Sequence, residues 1–281
     1  MDKAICLNYL KARVITMPLY LPVLIVVSIV CSTFALATSE KTQRFALVIG
    51  NQSYQTAPLK NALNDAKAIS NTFYEMGYQV TTVTDVNVQL LREEVAGFYQ
   101  RVHSVEAENK LAVVYYAGHA IQINHNNYLI PLDIDFENEQ EFIAQLYDLS
   151  DLFKLMKYSK GLQSIVILDA CRNNPFEIAN SSMVVTQGLA PVRAPASTLI
   201  AFATEPGGVA LDGRRENGVY TRHLLRFMSE SISIEEVFKK VRSAVARETR
   251  NKQIPWEHSS LLQEVYFSPP KNKEVPNIVV F

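Results

Sequence analysis

The chain reads as an α/β domain built on a mostly parallel central sheet with helices on both faces. Three observations predict this. Short apolar, β-branched runs recur along the chain (44–49, 78–83, 111–116, 165–169 and 198–204), and amphipathic segments with helical spacing separate them. Strands that alternate with helices pair in parallel through right-handed crossovers. With 281 residues, 48% apolar and 20% charged, the composition is that of one globular domain with a large core.

Residues 1–37 stand apart. Lys3, Lys11 and Arg13 precede a nearly uncharged stretch of 21 residues, Met17 to Ala37, that ends in the small-x-small triplet Ala35-Leu36-Ala37. This predicts a signal peptide and an exported protein, periplasmic or secreted. The stretch is also long enough to span a bilayer, so membrane anchoring through residues 17–37 is the alternative. Bulky Val30 before Cys31 argues against a lipidated cysteine. A net charge of -1 and the lack of a basic run exclude nucleic acid as a partner.

In chain order, Arg44 to Ile49 is the first strand, turning at Gly50-Asn51. Asn64 caps a helix with Ala66, Ile69, Phe73 and Met76 on one face, and Gly77 ends it. Tyr78 to Val83 is the second strand, and Asn87 caps a helix carrying Val88, Leu91, Val95, Phe98 and Val102 at intervals of three and four. Leu111 to Tyr116 is the third strand, ending in the turn Ala117-Gly118-His119-Ala120. A hairpin over Ile121 to Ile130 turns at His125-Asn126-Asn127, and after a charged, irregular stretch Ser150 caps a helix that Gly161 ends. The fourth strand, Ile165 to Asp169, leads into a polar loop holding Cys171. Arg172 to Pro195 is a long loop, a type usually functional or disordered. Thr198 to Thr204 is the fifth strand, followed by a helix over Thr221 to Ser229 and a last helix with the capping box Ser233/Glu236 and inner face Ile234, Val237, Phe238, Val241 and Val245. Ser268 to Phe281 is a tail.

The chemistry concentrates at two strand ends. Open α/β sheets place their reactive groups beyond the carboxyl ends of their strands, and here one such end carries Cys171 and another His119. A thiolate is a nucleophile and a thiol a poor one, so an imidazole that takes the proton turns the pair into a covalent catalyst. Of three cysteines, Cys6 and Cys31 lie in the amino-terminal segment, which leaves the mature domain with one thiol and neither an internal disulfide nor a CxxC metal site. Of five histidines, only His119 follows a buried strand. It lies 52 residues before Cys171, where caspase-type peptidases place their histidine about 50 residues upstream.

The sequence resembles a bacterial member of the caspase, metacaspase and paracaspase superfamily. Phe45 to Asn51, Asn64-Asp65, Tyr115 to His119, Leu168 to Arg172, Ala203 to Gly213 and the ending Pro255-Trp256-Glu257 through Phe267 occur in the family's order, over residues 42–267. The resemblance implies a caspase-haemoglobinase-like three-layer sandwich and a cysteine endopeptidase acting on peptide or protein substrates. Cys171 takes the position of the nucleophile and His119 that of the general acid/base. The backbone amides of Cys171 and Ala120 take that of the oxyanion hole, with alanine where the family often has glycine.

Acids at the positions of Asp65 and Asp169 line the primary pocket in metacaspases and paracaspases, implying cleavage after arginine or lysine. Leu-Asp-Ala-Cys-Arg, in place of the Gln-Ala-Cys-Arg-Gly of true caspases, agrees with that. Arg193, the only basic residue of the long loop after Arg172, is a candidate self-cleavage point. Many metacaspases are activated by calcium. Asp133, Asp135, Glu137 and Glu139 offer oxygen donors here, or simply form a solvated charged loop. No cofactor or metal ligand set is read from the chain. The alternative function is a catalytically silent caspase-fold module. A nucleotide-binding domain is disfavoured because no glycine-rich phosphate loop follows any strand.

Overall fold

The computed structural model of the chain describes residues 42–134, 139–156, 160–171, 185–186, 189–190, 192–208, 210–211 and 215–269. The amino-terminal segment with Cys6 and Cys31, the residues after position 269 and most of the long loop lie outside them. No helix among the described residues is long and apolar enough to cross a membrane.

The described strands form one mixed sheet. Its main path runs β2 (Gln79–Thr84), β1 (Gln43–Gly50), β3 (Lys110–Ile123), β6 (Leu162–Cys171), β8 (Thr198–Phe202) and β9 (Trp256–Ser259). Every pairing along it is parallel except that of β8 with β9. Two further short strands, β4 (Asn126–Ile130) and β5 (Tyr147–Asp148), extend the far end of β3, and β7 (Val185–Thr186) pairs with β3 from within the long loop.

Strand alternation divides the core in two. Ala46, Val48, Val113, Tyr115, Ile165, Ile167, Leu199 and Ala201 pack on one face with α1 (Ala62–Glu75), α5 (Val219–Met228) and α6 (Ile234–Thr249). Their sequence neighbours Leu47, Ile49, Val114, Tyr116, Val166, Leu168, Ile200 and Phe202 pack on the other with α2 (Val88–Ser104) and α4 (Leu149–Met156). The architecture is a three-layer α/β sandwich. The short α3 (Glu139–Ala144) belongs to a third, smaller cluster around Tyr54, Ile121 and Ile130 beneath the β3–β4 hairpin.

Predicted caps hold where a side chain reaches an amide. Asn87 Oδ1 accepts from Leu90 N at 2.9 Å, and Ser233 Oγ accepts from Glu236 N, a bond whose loss costs about 1 kcal/mol in a typical helix. Two predicted starts shift. The helix expected from Asn64 begins at Ala62, because Asn64 Nδ2 donates to the carbonyl of Glu216 and does not cap. The helix expected after Ser150 begins at Leu149, with Asp148 Oδ1 accepting from Ser150 N. Gly50 lets α1 lie hard against β1: a Cβ there would meet Ala66 Cβ at 2.7 Å and the Ala62 carbonyl at 2.9 Å. That close approach brings the start of α1, and Asp65 with it, to the carboxyl end of the sheet.

Three further differences bear on the site. The Ala117–Ala120 segment is not a turn, since β3 continues through it to Ile123; the reversal comes at Asn124 and His125, both at positive φ. Cys171 is the last residue of β6 and not part of the loop beyond it. His258 lies in the edge strand β9, in a stretch where no strand was expected.

Candidate active site

β3 pairs in parallel with β6 as far as His119 and Cys171, which are Cα partners. At the same residue β3 acquires a second neighbour, with His119 opposite Ile130 of antiparallel β4. The histidine therefore sits where the sheet changes from parallel to antiparallel pairing.

Two tyrosines hold that junction. Tyr54 Oη accepts the His119 backbone N–H at 2.9 Å and donates to the Ile130 carbonyl at 2.9 Å. Tyr116 Oη lies 2.8 Å from the His119 carbonyl and 2.9 Å from that of Ile130, to which its single proton can be shared. Burial, ahead of any neighbour, raises both phenols above their ordinary range, so they remain neutral hydrogen-bonding groups. Gly118 is glycine because a Cβ would stand 2.5 Å from Tyr116 Oη and 2.8 Å from Tyr54 Oη. The hydroxyls thus occupy the space that lets β3 stay extended where the sequence suggested a turn.

The imidazole of His119 is 3% exposed and packs on the Tyr54 ring at 4.4 Å. Its Nε2 lies 2.7 Å from the Ala57 carbonyl. A carbonyl oxygen only accepts, so Nε2 carries the proton and Nδ1 of the neutral ring is the basic nitrogen. The group that orients the ring is therefore a backbone carbonyl, which has no side-chain signature. The loop bearing it is stapled by Asp85, whose carboxylate accepts from Gln52 N at 2.8 Å, Ser53 N at 3.1 Å and Ser53 Oγ at 2.6 Å. Partial burial would raise the Asp85 carboxyl, but the Ser53 hydroxyl and the two amides together bring it below its ordinary value.

Both backbone polar groups of His119 face β4, so alternation turns those of Ala120 toward the β6 side, where Cys171 ends its strand. Ala120 lies in extended backbone and is 1% exposed, so a side chain at this position is accommodated without glycine.

Asp65 and Asp169 reach the site from different elements. Asp169 is on the face of β6 that carries Ile165 and Ile167, the face covered by α1 and α5. Both acids line one small pocket, shared with Leu59, Gly118, Leu211 and Gly218. Asp65 is buried and accepts from Asn217 Nδ2 at 2.8 Å and from Gly218 N at 3.0 Å. Asp169 accepts from Thr221 Oγ1 at 2.5 Å, and Tyr115 Oη lies 2.5 Å behind that hydroxyl. Gln253, fully buried, accepts from Leu211 N and donates to the Ala203 carbonyl, fixing the pocket wall. Asn217-Gly218 is a dipeptide that favours turns and stands directly before α5.

The remaining expectations fall elsewhere. Arg193 is exposed, but its segment is tied down: His258 Nδ1 donates to the Val192 carbonyl and Ser260 Oγ to the Pro195 carbonyl. His223 pairs with Glu248, and His103 with the Leu155 carbonyl. Asp135 and Glu137 lie outside the described residues. Among the described residues no group of three His, Cys, Asp or Glu side chains is arranged to hold a metal ion.

Comparison with known proteins points one way. The family profile described as "Caspase domain" matches residues 43–266. The human mucosa-associated lymphoid tissue lymphoma translocation protein 1 is 23% identical over 81% of this chain, and its mouse homolog 24% over 64%. The chain spans 27% and 21% of these relatives' own lengths. Among solved structures, caspase-1 from Spodoptera frugiperda superposes with a TM-score of 0.59 at 16% identity, covering 83% of this chain and 93% of that one. The Drosophila initiator caspase Dronc superposes with a TM-score of 0.60 at 15% identity, covering 82% and 87%. At such identity the structures establish a shared fold.

Proposed function

The chain belongs to the caspase-domain family, and from that premise we propose that it is a cysteine endopeptidase that uses a Cys171/His119 dyad to cleave peptide bonds after arginine or lysine. The observation that carries the reading is the pairing of His119 with Cys171 across β3 and β6. Neighbouring strands lie about 4.8 Å apart, a backbone separation that supports a thiol and an imidazole acting as one pair.

In this reading Nδ1 of His119 takes the thiol proton, and the thiolate sulfur attacks the scissile carbonyl carbon. The carbonyl oxygen becomes an oxyanion and is held by the amides of Cys171 and Ala120. Collapse breaks the C–N bond, with the imidazolium returning its proton to the leaving amine and an acyl-enzyme thioester remaining. Water, deprotonated by the same imidazole, then releases the acid and the thiol. The Ala57 carbonyl on Nε2 keeps the ring in the tautomer this requires and stabilises the imidazolium. Two carboxylates in one pocket support a basic residue before the scissile bond, because a guanidinium there replaces the water each acid would otherwise need.

Two experiments test the proposal. A peptidyl-arginine chloromethylketone should alkylate Cys171 and no other residue, located by mass spectrometry. A peptide library varied only at the residue before the scissile bond should return arginine and lysine, and that preference should fall in Asp65→Ala and Asp169→Ala. Selection of aspartate overturns the specificity. An unlabelled Cys171 with no turnover on any peptide leaves the silent binding module as the function.

A further inference from the structure

The two pocket acids come from α1 and from β6, yet both are held by one short stretch. Asn217, Gly218 and Thr221 are the entry and first turn of α5, and each donates to one of the carboxylates. We propose that this first turn of α5 is the specificity-orienting device, with Thr221, backed by Tyr115, acting as a positioning residue that fixes the plane of the Asp169 carboxylate and so favours arginine over lysine. This rests on the reading that the pocket receives the basic side chain.

The direction of the hydrogen-bond chain follows from proton count. An ionised carboxylate only accepts, so the single Thr221 hydroxyl proton points to Asp169 Oδ2 at 2.5 Å. The oxygen of Thr221 is then an acceptor, and Tyr115 Oη, 2.5 Å away, is its donor. Both hydroxyls are fully buried, so each ordinarily has no alternative partner in water. Burial first, and then the charges of Asp169 and Asp65, raises the Tyr115 phenol well above its ordinary range, which keeps it a proton donor at any physiological pH. The chain Tyr115 to Thr221 to Asp169 is therefore directional and crosses from the middle of β3 to the pocket.

Orientation matters differently for the two basic side chains. A guanidinium is a planar fork that must meet its acceptors in a set geometry, whereas an ammonium is a compact charge with freely rotating donors. A carboxylate held in one plane suits the fork. Without the Thr221 donor the carboxylate keeps its charge and its attraction for lysine, but loses part of its alignment with arginine.

The test uses the full chain with Thr221→Val, which keeps the side-chain shape and removes the donor, together with Thr221→Ser, which restores it. With peptides that differ only in arginine or lysine before the scissile bond, Thr221→Val should lower kcat/KM for arginine about tenfold or more, the size of one hydrogen bond to a charged group. The loss should lie in KM, should be smaller for lysine, and should be recovered in Thr221→Ser. The double variant Thr221→Val/Tyr115→Phe removes the stranded phenol donor, so it should regain thermal stability without regaining the arginine preference. Equal losses on both peptides, a loss confined to kcat, or no recovery with serine overturns the proposal.

Binding of p-aminobenzamidine to Cys171→Ala, followed by fluorescence, reads the pocket without turnover. Binding unchanged by Thr221→Val overturns the proposal alone. No binding, together with no cleavage after a basic residue in the unsubstituted protein, overturns the pocket reading and the proposal with it.

Discussion

His119 and Cys171, 52 residues apart in the chain, are direct Cα partners on adjacent parallel strands. Their spacing in sequence is consumed by one crossover from β3 to β6, and their register places both at the carboxyl edge of the sheet. If the pair acts as one catalytic unit, Cys171→Ala and His119→Ala should each lower kcat by on the order of a thousandfold or more, and the double variant should be no worse than either. Near-normal turnover in the cysteine variant, or additive losses, contradicts the assignment. Circular dichroism should show both variants folded.

Gly118 offers a sharper structural test. A methyl group there would collide with the hydroxyls of Tyr116 and Tyr54 that hold the His119 backbone. Gly118→Ala should therefore destabilise the fold by about 1–3 kcal/mol, the usual cost of overpacking, and lower turnover as well. Combining it with Tyr54→Phe, which removes one of the two hydroxyls, should recover part of the stability. Denaturant midpoints that are unchanged for Gly118→Ala would mean that the tyrosine hydroxyls do not press on this position.

The Asp85 staple predicts a pH dependence. Its carboxyl lies below the ordinary value in the folded protein, so its contribution is fully present above the unfolded carboxyl value of about 3.9 and is lost as pH falls through the lower folded value. Asp85→Asn removes the charge and one acceptor. It should be less stable than the unsubstituted protein at pH 6, with the difference shrinking below about pH 4. Denaturation at a series of pH values decides this, and a difference that holds constant down to pH 3 rules it out. Because Asp85 anchors the loop that carries the Ala57 carbonyl, the variant should also lose turnover.

Export can be read directly. Cleavage after Ala37 should yield a mature protein starting at Thr38 with a single titratable thiol, since Cys6 and Cys31 would be removed. Amino-terminal sequencing of the protein from a secreting host gives the answer. A chain recovered whole in the membrane fraction supports anchoring instead.

Local pattern was enough to identify the five parallel strands and the longer helices, among them the two strands that carry the histidine and the cysteine, because periods of two and of 3.6 residues are written into each segment by itself. The capping of α2 and α6 was legible for the same reason: a cap needs only residues a few positions apart. Contacts between distant segments were not. Ala117 to Ala120 carried the composition of a turn, yet β3 runs straight through it because hydroxyls from Tyr54 and Tyr116 satisfy its backbone. The partner of the His119 ring is the carbonyl of Ala57, and every residue has a carbonyl, so no side chain could announce it. Asn217, Gly218 and Thr221 meet Asp65 and Asp169 only after the chain has passed on through β8. Residue type and local spacing determined which groups could do chemistry, and the tertiary fold alone decided which of them face one another, because those distances are set by packing between elements far apart in the chain.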